Sequence, residues 1–382
     1  MPYRHIDTNR ITAWLEAMVR IESINPDLAP GGSGEGELAS WFGVTLNTLG
    51  FDVTFEDAAP GRPNVIARRP GRGEAPPLMF CGHLDTVGVT DYDGNPLEPR
   101  ITDGRLYGRG SYDMKGGLAA VLGAAAAAAS TPGDIWLGLV IDEEYASIGA
   151  DALVGSAPPM PTVLVEPSDL RACIAHKGFA WLTVTTEGLA AHGSLTELGI
   201  DAIAHMGRLL GELERWPGEV FAAQTDPLVG RASAHASLID GGQGWSTYPD
   251  RCSLKVEHRL LPDQKAEAAL ALWEDAIARQ SAADPRFMAR AALDLYRPGY
   301  RIAEDAPVVQ ALQAAVQTVT GATAAICGIP AWMDSAVLSA AGFPTIIYGP
   351  SGEGAHAAVE YVDLESVFAC ARVYAAMMQA WR

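Results

Sequence analysis

An α/β fold interrupted by a smaller α+β domain is what this sequence predicts, on three observations. First, short apolar runs end abruptly on residues able to do chemistry. Residues 78–81 precede His83 and Asp85, 135–141 precede Asp142, Glu143 and Glu144, and 162–165 precede Glu166 and Pro167. Second, an alanine-rich segment, 118–129, lies between the first two runs. Third, the pattern changes after His176-Lys177-Gly178 to alternating strands and helices. Continuous apolar runs of this length suit strands buried on both faces of a sheet, with helices as crossovers. In open sheets of that kind, ligands collect beyond the carboxyl ends of the strands.

With 382 residues the chain is too long for one simple core, so two domains are expected. Hydrophobic residues make up 48% and charged residues 19%, enough apolar material for globular cores. Lys and Arg number 27 against 46 Asp and Glu, a formal charge of −19. That balance argues against nucleic acid or an anionic membrane as partner. The opening residues, Met1 to Asp7, hold no apolar signal region, and no run is long enough to span a bilayer. The five cysteines, Cys81, Cys173, Cys252, Cys327 and Cys370, are scattered without a CxxC pair. They read as reduced thiols, and a cytoplasmic protein is expected. The strand position of Cys81 favours packing over nucleophilic use.

Along the chain, Ile11, Trp14, Leu15, Met18 and Val19 keep helical spacing, with Thr8 as the expected cap. Residues 26–36 are rich in Pro and Gly and read as a loop. Residues 51–55 and 64–67 are short strand candidates. In 106–117, Gly108-x-Gly110 hints at a nucleotide loop, but Asp113 stands where the last glycine of that fingerprint belongs. A carboxylate there would repel phosphate, so the segment reads as a glycine turn aiming Asp113 into a site. In the second region, 180–186, 233–240 and 252–260 read as strands, and 196–216 and 264–280 as helices. These suggest an α+β sandwich inserted into the first domain. The parent domain is expected to resume near Leu293-Asp294. It would continue with a helix at 306–319, a strand at 343–348, a loop to His356 and a closing helix at 363–378.

The parent domain thus delivers His83, Asp113, Glu143, Glu144, Glu166 and His356, each from a strand end or a glycine-rich turn. Singly, each reads equally well as a structural or solvated residue. Together, imidazoles and carboxylates without cysteine suit Zn²⁺, Co²⁺ or Mn²⁺ in a hydrolytic site rather than a structural zinc. The count fits two cations about 3.5–4 Å apart, bridged by one carboxylate. Asp85 is placed to hold the His83 ring nitrogen that faces away from metal.

The motifs 82–87, 108–117, Asp142-Glu143-Glu144, Glu166-Pro167, Ala191-His192-Gly193-Ser194 and Gly354-Ala355-His356 carry a resemblance along nearly the whole chain. The sequence resembles the co-catalytic zinc metallohydrolases that include acetylornithine deacetylase, succinyl-diaminopimelate desuccinylase, aminoacylase and glutamate carboxypeptidase. The resemblance implies a zinc-exopeptidase-like catalytic domain, residues 1–176 and 293–382, with a central mixed sheet flanked by helices. It implies an inserted ferredoxin-like dimerisation or lid domain over 177–292. By that resemblance two zinc ions bind per chain. Asp113 bridges them, His83 and Glu166 hold one, Glu144 and His356 hold the other, and Asp85 supports His83. Glu143 would be the general base, drawing a proton from a water between the cations and passing it to the leaving amine.

The resemblance also implies that His192 reaches the active site of a partner subunit and donates a hydrogen bond to the oxyanion, which requires a homodimer through the inserted domain. It implies that Arg259 fixes a substrate carboxylate by a bidentate bond. Where many relatives have Asn-x-x-Pro, this chain has Ser246-Thr247-Tyr248-Pro249. Serine is shorter and lacks the amide donor, which bears on substrate choice. Glu at 166, rather than Asp, leans toward deacylases and carboxypeptidases over aminopeptidases. The expected function is a dinuclear zinc amidohydrolase acting on an N-acyl amino acid or on a C-terminal residue with a free carboxylate. The rivals are a di- or tripeptidase that reads a free amine, and a metal-free binding protein on the same fold. His5, His176, His205, His235 and His258 have no place in the scheme and read as structural or exposed.

Overall fold

The structure, a computed structural model, describes residues 5–382. Met1 to Arg4, the start of the stretch that holds no apolar signal region, lie outside the described residues. The chain forms two compact units. The first comprises the chain up to Ile174, Ile302–Cys327 and Met333–Arg382; the second comprises Ala175–Arg301 and Gly328–Trp332.

The first unit is built on a mixed sheet. Its main strands are β1 (Asp52–Ala59), β2 (Arg62–Arg69), β3 (Leu78–His83), β4 (Ile135–Val140), β5 (Thr162–Leu164), β6 (Ala172–His176) and β11 (Thr345–Ile347). They lie in the order β1-β2-β4-β3-β5-β11-β6. The four central strands, β4, β3, β5 and β11, run parallel, so their carboxyl ends share one edge. Every residue of β3 is buried, which is why it reads as an unbroken apolar run. The helices are α1 (Thr8–Arg20), α2 (Gly36–Thr48), α3 (Gly116–Ala127), α4 (Ile148–Ser156), α7 (Pro307–Thr320), α8 (Ser335–Ala340) and α9 (Leu364–Ala380). Among them, α3 packs on α1 and α9, α7 on α9, and α4 on α8. Small residues let α3 come close to the sheet: a Cβ at Gly117 would lie 2.0 Å from the Val165 carbonyl oxygen.

The second unit is a four-stranded antiparallel sheet with two helices. In chain order these are β7 (Gly178–Glu187), α5 (Ala202–Glu219), β8 (Ser233–Gly241), β9 (Arg251–Leu260), α6 (Ala266–Ala283) and β10 (Met288–Arg297). The spatial order β8-β9-β7-β10 with two βαβ connections is the ferredoxin-like arrangement. Its core gathers Leu182, Val184, Leu209, Trp216, Leu254, Val256 and Trp273.

Several local expectations shift. The cap of α1 is Asp7, not Thr8: the Asp7 backbone is extended and its carboxylate accepts the Arg10 N–H at 3.0 Å. A carboxylate also suits the positive end of the helix dipole. Helix α5 starts at Ala202 rather than 196, because the Asp201 side chain caps it by accepting the Ala204 N–H at 2.9 Å. Leu293 lies inside β10, where it pairs with Leu182, so the first unit resumes at Ile302. Helices α2, α4 and α8 were not expected from the sequence.

Candidate active site

Parallel strands bring the candidate residues to one edge. His83 ends β3, Asp142-Glu143-Glu144 follow β4, and Glu166 follows β5. Asp113 comes from the tight turn after Gly110, whose φ of +76° favours glycine. The Asp113–Met114 peptide is cis. His356 lies on the long connection after β11, with φ of +63°, a left-handed position that His tolerates better than most residues.

Two donor groups result, sharing Asp113. In the inner group, His83 Nε2 lies 3.1 Å from Asp113 Oδ1 and 3.5 Å from Glu166 Oε1. In the outer group, His356 Nε2 lies 2.9 Å from Glu144 Oε2 and 3.6 Å from Asp113 Oδ2. Within each group the ligand atoms lie within 4.8 Å of one another. Asp113 therefore offers one oxygen to each. Glu143 belongs to neither group, although its carboxylate feels His83, Glu166 and Glu144. The donors are all nitrogen and oxygen, a set that fits divalent cations of the zinc, cobalt or manganese kind.

The electrostatics point the same way. Burial and the Asp113 charge push Glu144 up to about 7, with His356 opposing. Burial raises Glu143 and Glu166 well above the usual carboxylate range; the Glu166 charge adds to the rise at Glu143, and the Asp113 charge to that at Glu166. Bonds to Asp113 and Glu144 raise His356 to about 10 against burial. Burial opposes a charged His83, yet Glu166, Asp113 and Asp85 together hold it well above its ordinary range. Carboxylates crowded this closely, facing only two imidazoles, are a surplus of negative charge that cations would relieve.

Asp85 serves His83 and the glutamate turn together. His83 Nδ1 lies 3.0 Å from the Asp85 backbone carbonyl and 3.6 Å from its carboxylate. A carbonyl can only accept, so Nδ1 donates to it, and Nε2 is the nitrogen left to face Asp113, Glu166 and a cation. The Asp85 carboxylate also accepts the N–H of Glu143 and of Glu144, both at 3.1 Å. It thus shapes the turn that presents both glutamates.

Residues absent from the sequence reading complete that turn. Asn25, fully buried, donates from Nδ2 to Asp85 at 2.8 Å and to Asp142 at 2.9 Å. Asp142 has φ of +67°, and its carboxylate accepts N–H groups of Ala146 and Ile148. Arg62 reaches Asp142 at 3.2 Å and forms a two-pronged pair with Glu35, both bonds 2.7 Å. Asp334, buried just before α8, adds negative charge felt by Glu143 and Glu166. Only the Ser23-x-Asn25-Pro26 turn could have flagged Asn25. Arg62, Glu35 and Asp334 carry no local signal.

His192, Ser246 and Arg259 lie in the second unit. The structure brings the first two together: Gly193 N–H donates to the Ser246 carbonyl at 2.7 Å, and His192 bridges to Thr247. The His192 ring is exposed, and its Nδ1 lies 2.8 Å from Ser194 Oγ. Arg259 lies on β9, with Nε donating to Glu257 at 2.6 Å and its guanidinium 5.6 Å from the centre of the Phe179 ring. Nearby, burial and the Arg259 charge lower Lys177. Of the remaining histidines, His176, His205 and His258 are buried and His5 and His235 exposed.

Comparison with known proteins gives these features a family. Residues 79–380 match the model of peptidase family M20/M25/M40. The chain is 28% identical over 347 residues to acetylornithine deacetylase of Myxococcus xanthus, covering 86% of this chain and 88% of the relative. It is 27% identical to N-formyl-4-amino-5-aminomethyl-2-methylpyrimidine deformylase of Bacillus subtilis, covering 92% and 90%. In fold it resembles the aminopeptidase PepT of Bacillus cereus, with a TM-score of 0.79, 21% identity and 98% of each chain covered. The chain belongs to peptidase family M20/M25/M40 and is a metal-dependent hydrolase of amide or peptide bonds.

Proposed function

We propose that the protein is a two-cation amidohydrolase, with zinc as the natural occupant, that cleaves the amide of an N-acyl amino acid or a C-terminal residue bearing a free carboxylate. The observation that carries this reading is the division of the Asp113 oxygens between two donor groups while Glu143 stands beside both and in neither. His83 and Glu166 would hold one cation, Glu144 and His356 the other, with Asp113 common to both. Bound there, the cations would polarise the scissile carbonyl and lower the pKa of an attacking water.

Glu143 takes the proton of that water and returns it to the departing nitrogen. Membership of neither donor group leaves its carboxylate available for both halves of this exchange. Asp85 keeps Glu143 and Glu144 in register by holding their backbone N–H groups, and orients the His83 ring through its carbonyl. Arg259, with Lys177 adding positive charge beside it, receives the substrate carboxylate; Glu257 yields its hold when that anion arrives. Ser246 occupies a substrate-facing position with a smaller donor than asparagine. The names of the sequence relatives describe removal of an acetyl and of a formyl group, which favours acyl-amine substrates.

His192 supplies the oxyanion donor to a partner subunit. Support for a dimer comes from β8, an edge strand whose Leu238 and Ile239 are 71% and 56% exposed. An apolar strand edge of this kind is a ready surface for pairing with another chain. Five buried cysteines outside any disulfide suit a reducing, cytoplasmic setting, and no helix among the described residues is long and apolar enough to cross a membrane.

The deciding experiment pairs N-acetyl amino acids with unblocked di- and tripeptides as substrates, at defined Zn²⁺, Co²⁺ and Mn²⁺. Turnover of the acylated series is expected. Exclusive turnover of unblocked peptides would transfer the protein to the peptidase reading. Absence of metal after gentle purification, together with no turnover of either series, would favour a binding protein.

A further inference from the structure

Asp113 and His356 both arrive on irregular connections, whereas His83 and Glu166 are held at or just beyond strand ends. Glu360 and Arg109 tie the two segments together. Glu360 is 1% exposed, and its carboxylate accepts four hydrogen bonds. Oε1 accepts the backbone N–H of Tyr112 at 2.9 Å and of Asp113 at 3.0 Å. Oε2 accepts the N–H of Gly110 at 2.9 Å and Arg109 Nη1 at 2.8 Å. Arg109 then donates from Nη2 to the carbonyl of Ala357, the residue after His356, at 3.0 Å. The Glu360 carbonyl accepts the Gly108 N–H at 3.2 Å, and the strand Tyr361–Asp363 pairs with Arg105–Tyr107. The turn that carries Asp113 and the segment that carries His356 are closed on each other by this carboxylate–guanidinium clip.

We propose that Glu360, acting with Arg109, is a positioning residue that sets the cation affinity of the outer group without touching cation or substrate. The inference rests on the two-cation reading given above. A carboxylate is required, because all four partners of the side chain are donors. A glutamine would keep one acceptor oxygen and turn an NH2 group against two of them. The inner group depends on the clip only through the shared Asp113, while the outer group depends on it through Asp113 and His356 both. Groups one step removed from metal ligands typically change affinity by about 10–100-fold when altered.

The test equilibrates the holoenzyme with graded free Zn²⁺ set by a chelator buffer and measures zinc per chain, for wild type, Glu360→Gln, Arg109→Lys and, as a direct lesion of the outer group, His356→Ala. Wild type is expected to lose its two ions in sequence. Glu360→Gln should keep the tighter ion and release the other at about 10–100-fold higher free Zn²⁺, following His356→Ala. Its kcat should recover as Zn²⁺ is raised, with KM unchanged. Arg109→Lys, a gentler change that stands in should Glu360→Gln misfold, should shift the same ion in the same direction by less. Wild-type release curves in a folded variant, or equal weakening of both ions, would overturn the inference. A wild-type protein holding only one ion would instead overturn the two-cation reading on which it rests.

Discussion

Replacing Asn25 with alanine tests how the active-site turn is held. Asn25 is completely buried and makes four side-chain bonds. Nδ2 donates to the carboxylates of Asp85 and Asp142, and Oδ1 accepts the N–H of Asp27 at 3.0 Å and of Leu28 at 3.2 Å. The orientation of the amide follows from its partners, since only the NH2 end can face two carboxylates. Each hydrogen bond to a charged group contributes about 1.5–3 kcal/mol, so the two carboxylate bonds alone put the loss near 3–6 kcal/mol. Neither carboxylate is stranded: Asp85 keeps two backbone donors, and Asp142 keeps Arg62 and two N–H groups. The lower half of that range is therefore expected in a urea unfolding curve of the first unit. Asp85 also positions Glu143 and Glu144, and misplacing reacting groups by about 1 Å can cost 10²-fold in rate. Stability and kcat should fall together. Asn25→Asp sharpens the test, because it keeps the shape and replaces the shared donor with a third negative charge. The pKa of such an aspartate is raised by its neighbours, so the fold is favoured at low pH and weakens as pH rises. A loss below about 1 kcal/mol with normal kcat, small against the usual worth of such bonds, would show that the turn holds itself without Asn25.

Three further outcomes are expected. Glu143→Gln should lower kcat by about 10²–10⁴-fold, the usual worth of a general base, while zinc per chain is unchanged; loss of zinc would mean that Glu143 is a ligand. His192→Ala should lower kcat by about 10²–10³-fold, with zinc content and the melting temperature preserved, and mixing it with an inactive Glu143 variant should restore activity in hybrid dimers; near-normal kcat would leave His192 a surface residue. Stability of the second unit should fall as pH drops from 6.5 toward 4. There His258, buried among Trp216, Phe221 and Trp273, accepts the Trp273 indole N–H at 2.8 Å and is pushed down to about 4 by that burial. The unfolded chain takes up this proton first, so the neutral ring's contribution is complete above the unfolded pKa and is lost on acidification, by about 3 kcal/mol. Unfolding of wild type and His258→Gln at pH 7 and 4.5 checks it: the variant should show the shallower decline, and equal declines would assign the acid sensitivity elsewhere.

How much of this was legible in the sequence follows from how each residue is held. The chemistry-bearing residues were readable because apolar runs announce buried strands, and what stands just beyond a strand's carboxyl end lies at the sheet edge whatever the rest of the chain does. His83, Glu143, Glu144 and Glu166 are of this kind. Asp113 was marked by the glycines that its turn demands. Asn25, Arg62, Glu35, Asp334 and Glu360 were not legible, because each works through a partner distant along the chain. Asn25 meets Asp85 across sixty residues and Glu360 meets Gly110 across two hundred and fifty. A lone polar residue gives no local sign that it will be buried against an unsatisfied donor or acceptor.

The sharing of Asp85 between His83 and the glutamate turn has the same origin. Sequence specified that an aspartate stands two residues beyond the histidine. Only the approach of the turn carrying Glu143 and Glu144 decided that their N–H groups would take the carboxylate and that the imidazole's nearer contact would be the Asp85 carbonyl. The sequence by itself determined which side chains reach the sheet edge, since hydrophobic burial sets strand position and strand direction sets the rest. Tertiary structure alone decided which of them gather into one donor group and which side chains hold them there, because hydrogen bonds between distant segments exist only once the chain has folded.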